Sequence, residues 1–258
     1  MNPDITTIQF HNFYAFLLIF ARMSGVLVTA PVLGNKAIPK QAKAGLAFVL
    51  SLSLTPMLQA RVGKIPDHIL VLGGEIVAEA LLGLSLGYVG KLLFAAIEMA
   101  GYFVDTQIGF GFMNLIDPFS EQQTSVLSVF QFQLALTLYL LMNGHLLLIQ
   151  AVVQSFEAVL PGAVSLTGHF GMSIAPMLPH VFALGFQLAL PAVGVLVVMD
   201  VAFGLIARLA PQVNVFQVGA PVKIIIGLTT VAITLPALTT IIGQVIGGNL
   251  AGMKALLK

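Results

Sequence analysis

Cysteine is absent from the chain, and charge is scarce. Without cysteine there are no disulfides, no thiolate metal sites and no thiol nucleophile. Only 8% of the 258 residues are charged, against 58% hydrophobic, whereas a soluble domain carries roughly 25% charged residues. A water-soluble chain of this length cannot hide so much apolar surface, because much of its exterior must face water. Lipid or a large protein partner must cover it. Eleven Lys and Arg balance ten Asp and Glu for a net charge of +1. That leaves no basic surface for nucleic acid.

Catalytic and metal-binding patterns are missing too. His11, His68, His145, His169 and His180 show no paired ligand spacing. No G-x-S-x-G elbow occurs. Gly109-Phe110-Gly111 lacks the Lys of a phosphate-binding loop. Neither an enzyme nor a cofactor is expected. The N-terminus lacks the basic leader of a signal peptide, since its first basic residue, Arg22, lies inside the apolar run. The first segment is expected to stay in the mature protein.

What is present is a series of long apolar segments. They run about from Phe10 to Ala30, Ala44 to Leu58, His68 to Val104, Val126 to Leu160, Pro176 to Ala210 and Lys223 to Ile246. Asn143-Gly144-His145 interrupts the fourth, Pro191 predicts a kink in the fifth, and Pro236 breaks the sixth. A third segment of that length would reach roughly 50 Å as a helix, beyond a hydrocarbon core near ~30 Å. The predicted fold is an all-α polytopic membrane protein of long kinked helical hairpins, one helical unit over residues 1–258, without tandem repeats.

Orientation does not follow from the loops. Those holding Lys36, Lys40 and Lys43, and then Arg61 and Lys64, are both basic although six ordinary spans would place them on opposite sides. Either some hairpins do not each cross the bilayer, or partners set the orientation.

Arg22, Glu75, Glu79, Lys91, Glu98, Glu157, Asp200 and Arg208 interrupt the apolar segments. Each needs a partner or water. Because they are dispersed, interhelical or intersubunit pairing is favoured over a proton relay. Glu75 and Glu79 share one helix face, and Lys91 and Glu98 share another. Gly83 and Gly87, like Gly243 and Gly247, are four apart, which suits close helix packing.

The stretch from Gln107 to Pro118 is an apolar loop between two long helices, within a non-helical region expected at residues 105–123. Apolar loops belong where they are buried or line a constriction. Gly109 and Gly111 permit tight turns. Phe110, Phe112, Met113 and Ile116 supply bulky side chains that could exclude water from a pore. The same stretch could equally tuck against neighbouring helices.

Three groups of residues carry a resemblance. The first is Ala21-Arg22 with Ala30-Pro31-Val32-Leu33-Gly34 and Ile38-Pro39-Lys40. The second is Ala100-Gly101, Gln107-x-Gly109, Asp117-Pro118, Asn143-Gly144-His145, Ser155-Phe156 and Leu160-Pro161-x-Ala163. The third is Leu188-Ala189-Leu190-Pro191 with the run from Gly204 to Phe216. In order and spacing they resemble the FliR/SctT family of type III export-gate subunits over nearly the whole chain.

That resemblance implies a helical, spiral hetero-oligomeric gate in which one copy joins five FliP and four FliQ subunits. It implies contacts with FlhB, the flagellar rod or basal body, membrane lipid and exported unfolded proteins. It also implies a location in the bacterial inner membrane at the flagellar basal body. The family's pore plug maps to Gln107, Phe110, Phe112, Met113 and Ile116, shaped by Gly109, Gly111, Asp117 and Pro118. The injectisome homologue is the nearest alternative. A secondary transporter is the alternative from another class, since helices broken at Pro191 and Pro236 suit one, but no polar residues converge at a midplane.

Overall fold

The computed structural model of the chain describes residues 5–35, 37–110, 125–164, 177–212 and 214–256. Among them there is no strand. The helices in chain order are α1 (Ile5–Thr29), α2 (Lys40–Leu58) with a 3-10 turn at Gln59–Arg61, α3 (Ile69–Ile108), α4 (Val126–Leu141), α5 (Gly144–Ala158), α6 (Met177–Leu209) and α7 (Val215–Leu256). The hydroxyl groups in these apolar helices bond back to their own backbone. Thr55 donates to Ser51 O at 2.7 Å, Thr106 to Tyr102 O at 2.6 Å and Thr229 to Ile225 O at 2.7 Å. Such polar side chains are satisfied without water.

Several boundaries differ from those expected, among them the start of α1 at Ile5 and the end of α7 at Leu256. Helix α3 continues past Val104 to Ile108, so the non-helical stretch begins at Gly109 rather than Asp105. Asp105 is compatible with the helix because its carboxylate serves a neighbouring helix end. Helix α7 begins at Val215 rather than Lys223 and runs through both Pro221 and Pro236. Asn214 starts it, accepting the N–H of Gln217 on Oδ1 at 3.3 Å. A proline removes only one backbone bond, and neighbouring packing keeps the helix going. Helix α2 starts at Lys40, directly after Pro39. The expected interruption near Asn143 is present, with Asn143 in left-handed backbone conformation at φ 56°.

The chain divides into two compact units. Unit 1 comprises Met1–Leu92, Asn143–Met177 and Ile246–Lys258; unit 2 comprises Leu93–Met142 and Leu178–Val245. In unit 1, Ile19, Met23 and Val26 of α1 meet Leu82 and Leu86 of α3 and Val152 and Phe156 of α5. Small residues bring α1 and α3 into backbone contact. A Cβ on Gly83 would lie 2.1 Å from Arg22 O, and one on Gly25 would lie 2.4 Å from Ala80 O. Thr29 donates across this crossing to Leu84 O at 2.9 Å. In unit 2, Ala100, Val104 and Ile108 of α3 pack with Leu127, Ala189, Leu196 and Val231 from α4, α6 and α7.

Among the described residues five helices are long and apolar enough to cross a membrane, or six spans if α4 and α5 count as one broken span. The chain buries 56% of this window in α1 but only 28% in α6 and 17% in α7. Helix α1 therefore packs about half of its apolar surface within the chain, while α6 and α7 leave most of theirs for lipid or other proteins.

Candidate functional site

The end of α3 is the root of the apolar loop. Gly109 follows it, with φ at +100°, a conformation that glycine adopts without steric cost. Its N–H bonds Asp105 O at 3.1 Å. Phe110 is half-buried and packs on the core of unit 2. With Leu127, Phe130 and Val231, among others, it lines an apolar cavity of about 380 Å³. Gly111, Phe112, Met113, Ile116, Asp117 and Pro118 lie outside the described residues.

Two polar arrangements hold the loop's flanks. The carboxylate of Asp105 is buried and accepts the N–H of Leu127, in the first turn of α4, at 3.2 Å. Helix N-termini present unsatisfied N–H groups and favour negative charge. Ser125 adds a second cap, its hydroxyl accepting Ser128 N–H at 3.1 Å. On the other flank, Gln107 donates its amide to Asp200 Oδ2 at 2.8 Å. The ammonium of Lys223 pairs with Asp200 and donates to Gln107 O at 3.4 Å. Asp105 and Lys223 escaped the reading from sequence. Asp105 stood at a supposed helix end, and Lys223 stood where the last span was thought to begin, so each passed for a boundary charge.

Unit 1 holds a second constellation, around Arg22. Its side chain and that of Glu79 are fully buried. Arg22 donates from Nε to Glu79 Oε2 at 2.6 Å and from Nη2 to Oε1 at 3.1 Å. It also donates to Ser155 Oγ at 3.2 Å and to Val159 O at 3.0 Å. The guanidinium carbon lies 4.2 Å from the ring centre of Phe156. Glu79 accepts a third bond, from Gly162 N–H at 2.9 Å. One turn earlier, Glu75 accepts the hydroxyl of Tyr14 at 2.5 Å. Both carboxylates on this face of α3 thus meet α1 of the same chain. Gly83 and Gly87 do likewise: a Cβ on Gly87 would sit 2.2 Å from Thr29 Oγ1.

The remaining charges are on the outside. Lys91, Glu98, Glu157 and Arg208 are exposed, as is Asp200 apart from its clasp. Among the described residues no group of three His, Cys, Asp or Glu could hold a metal ion.

Long apolar helices, charges paired inside the fold and broad uncovered faces together define an all-α polytopic membrane protein. The family described as "Bacterial export proteins, family 1" matches residues 13–248. The chain is 32% identical over 249 residues to the flagellar biosynthetic protein FliR of Bacillus subtilis (strain 168), covering 95% of each. It is 32% identical to FliR of Escherichia coli (strain K12) over 225 residues, 87% of this chain and 85% of that one. To FliR of Caulobacter vibrioides it is 31% identical over 242 residues, 93% and 95% of the two chains. The chain belongs to this family of bacterial export proteins, that of FliR.

Proposed function

We propose that the chain is the FliR-type structural and gating subunit of a flagellar type III export gate, seated in the bacterial inner membrane at the basal body. The observation that carries this is the family match over almost the full chain, with FliR relatives aligned end to end. Its partners on this reading are FliP and FliQ, most simply one copy with five and four of them, together with FlhB and the rod. The sparse burial of α6 and α7 supports it, because such faces suit helices from other subunits as well as lipid. The apolar stretch from Gln107 to Asp117 is the plug of the closed pore. Gly109 gives it its turn and Phe110 anchors it on the chain's own core. Lys91, Glu98 and Arg208 are exposed, which supports their pairing with neighbouring subunits on this reading.

The test is replacement of Phe110, Phe112, Met113 and Ile116 by serine in cells that make the whole apparatus. A hydrophobic constriction closes by excluding water. Ion leakage should therefore rise above that of the parent. Cells that remain as ion-tight as the parent, with the variant assembled to normal levels, would remove the plug role from this loop.

A further inference from the structure

Three helices of unit 2 meet where α3 ends. Gln107 occupies the last turn of α3, Asp200 lies in α6 and Lys223 in α7. The last carbonyls of a helix have no intrahelical partner and carry partial negative charge, so a cation is favoured beside them. Lys223 supplies that cation: its ammonium reaches Gln107 O at 3.4 Å while pairing with Asp200 Oδ1. The other oxygen of Asp200 accepts the amide of Gln107 at 2.8 Å. Both carboxylate oxygens are thus engaged: Asp200 bridges the Gln107 amide and Lys223, and Lys223 also reaches the Gln107 carbonyl.

An isolated surface ion pair is worth little. This one lies on two helices apolar enough to span a membrane, and the Lys223 side chain is only 19% exposed. An apolar fit lies one residue along. Ile108 is 4% exposed. Its Cδ1 would be 2.6 Å from a Cβ on Gly227, one turn beyond Lys223. The polar clasp and this close approach secure the same helix end.

We propose that Lys223 and Asp200 are positioning residues that clasp the C-terminal end of α3 and so fix the root of the segment starting at Gly109. The consequence for gating rests on the plug reading given above; the clasp stands on its own geometry. Lys223 acts as the cap and Asp200 as the bridge. Lys223→Arg keeps both roles, whereas Lys223→Met and Asp200→Ala each remove one.

The chain has no cysteine, so one introduced thiol is a clean reporter. Ile108→Cys places it under the clasp. Its labelling by a membrane-permeant maleimide is followed in cells carrying the complete export apparatus. A second reporter, Ile19→Cys, sits in the core of unit 1 and reads general unfolding. With Lys223→Met or Asp200→Ala, labelling at 108 should rise roughly tenfold, the effect of losing a helix cap and a charged hydrogen bond together. Lys223→Arg should leave it near the parent rate, and position 19 should stay protected throughout. Unchanged labelling at 108 would overturn the clasp, and so would loss of protection at both positions. Ion leakage in the same cells separates the two readings. Faster labelling with leakage supports both; faster labelling without it upholds the clasp and removes the plug role.

Discussion

Arg22 shows how a charge is kept inside an apolar helix bundle. Its guanidinium donates to Glu79, Ser155 and Val159 and lies against Phe156. Removing one partner of a buried pair strands the other, at a cost of about 3–5 kcal/mol. Arg22→Met or Glu79→Gln should therefore lower the steady-state level of the chain in membranes severalfold, as read by quantitative immunoblotting. Lys91→Gln, at an exposed position, should leave the level of the chain by itself unchanged. Glycines make an equally local contrast. Gly83→Ala pushes a methyl group onto the backbone of Arg22, whereas a Cβ on Gly74 meets nothing within 4 Å. Overpacking of that kind costs about 1–3 kcal/mol. Gly83→Ala should lower the melting temperature of the purified protein, and Gly74→Ala should not. The sequence makes Arg22 and Glu79 conspicuous but cannot say that they meet. Arg22 and Glu79 are 57 residues apart, and Arg22 and Val159 are 137 apart. No spacing rule links such distant positions. The one face shared by Glu75 and Glu79 was legible, because helical periodicity sets it.

Helix ends are where reading the sequence strayed, and the structure gives the physical reason. Charges and prolines suggest boundaries, yet Asp105 sits inside α3 and Pro236 inside α7. Asp105 stays within its own helix while capping a different one, its carboxylate accepting the N–H of Leu127. A cap of this kind is worth about 1 kcal/mol. Asp105→Ala should speed amide hydrogen exchange at residues 126–129 several-fold while leaving the exchange of α1 unchanged. The break between α4 and α5 was legible, because Asn followed by Gly favours left-handed backbone. Asn143 adopts it, with φ at 56°. Asn143→Gly should be tolerated there, and Asn143→Val should cost about 1–3 kcal/mol as a strained position, visible as lower thermal stability. The long run of α3 is likewise legible as one apolar segment, although Glu75, Glu79, Lys91 and Glu98 interrupt it.

At the scale of the whole chain, 8% charged residues imply a surface covered by lipid or protein partners, and the long apolar segments imply an all-α membrane protein. The structure adds where that surface lies. Helix α1 buries 56% of its apolar window within its own chain, while α2, α3, α6 and α7 bury 28% or less of theirs. Their exposed Phe182, Phe186, Leu190 and Ile225 exceed the scattered apolar residues usual on a free surface. Lipid and other subunits are the two materials that can cover them, and the family match favours a place among other export components. The unresolved balance of basic loops in the sequence fits the same picture, since partners as well as lipid can orient such helices. The most direct test of that account is native mass spectrometry of the tagged chain, extracted in detergent after co-expression with its genomic neighbours. The account predicts one copy of this chain in a large assembly with several copies of two smaller helical proteins. A monomer or homodimer carrying only lipid, with those partners present in the same membranes, would contradict it.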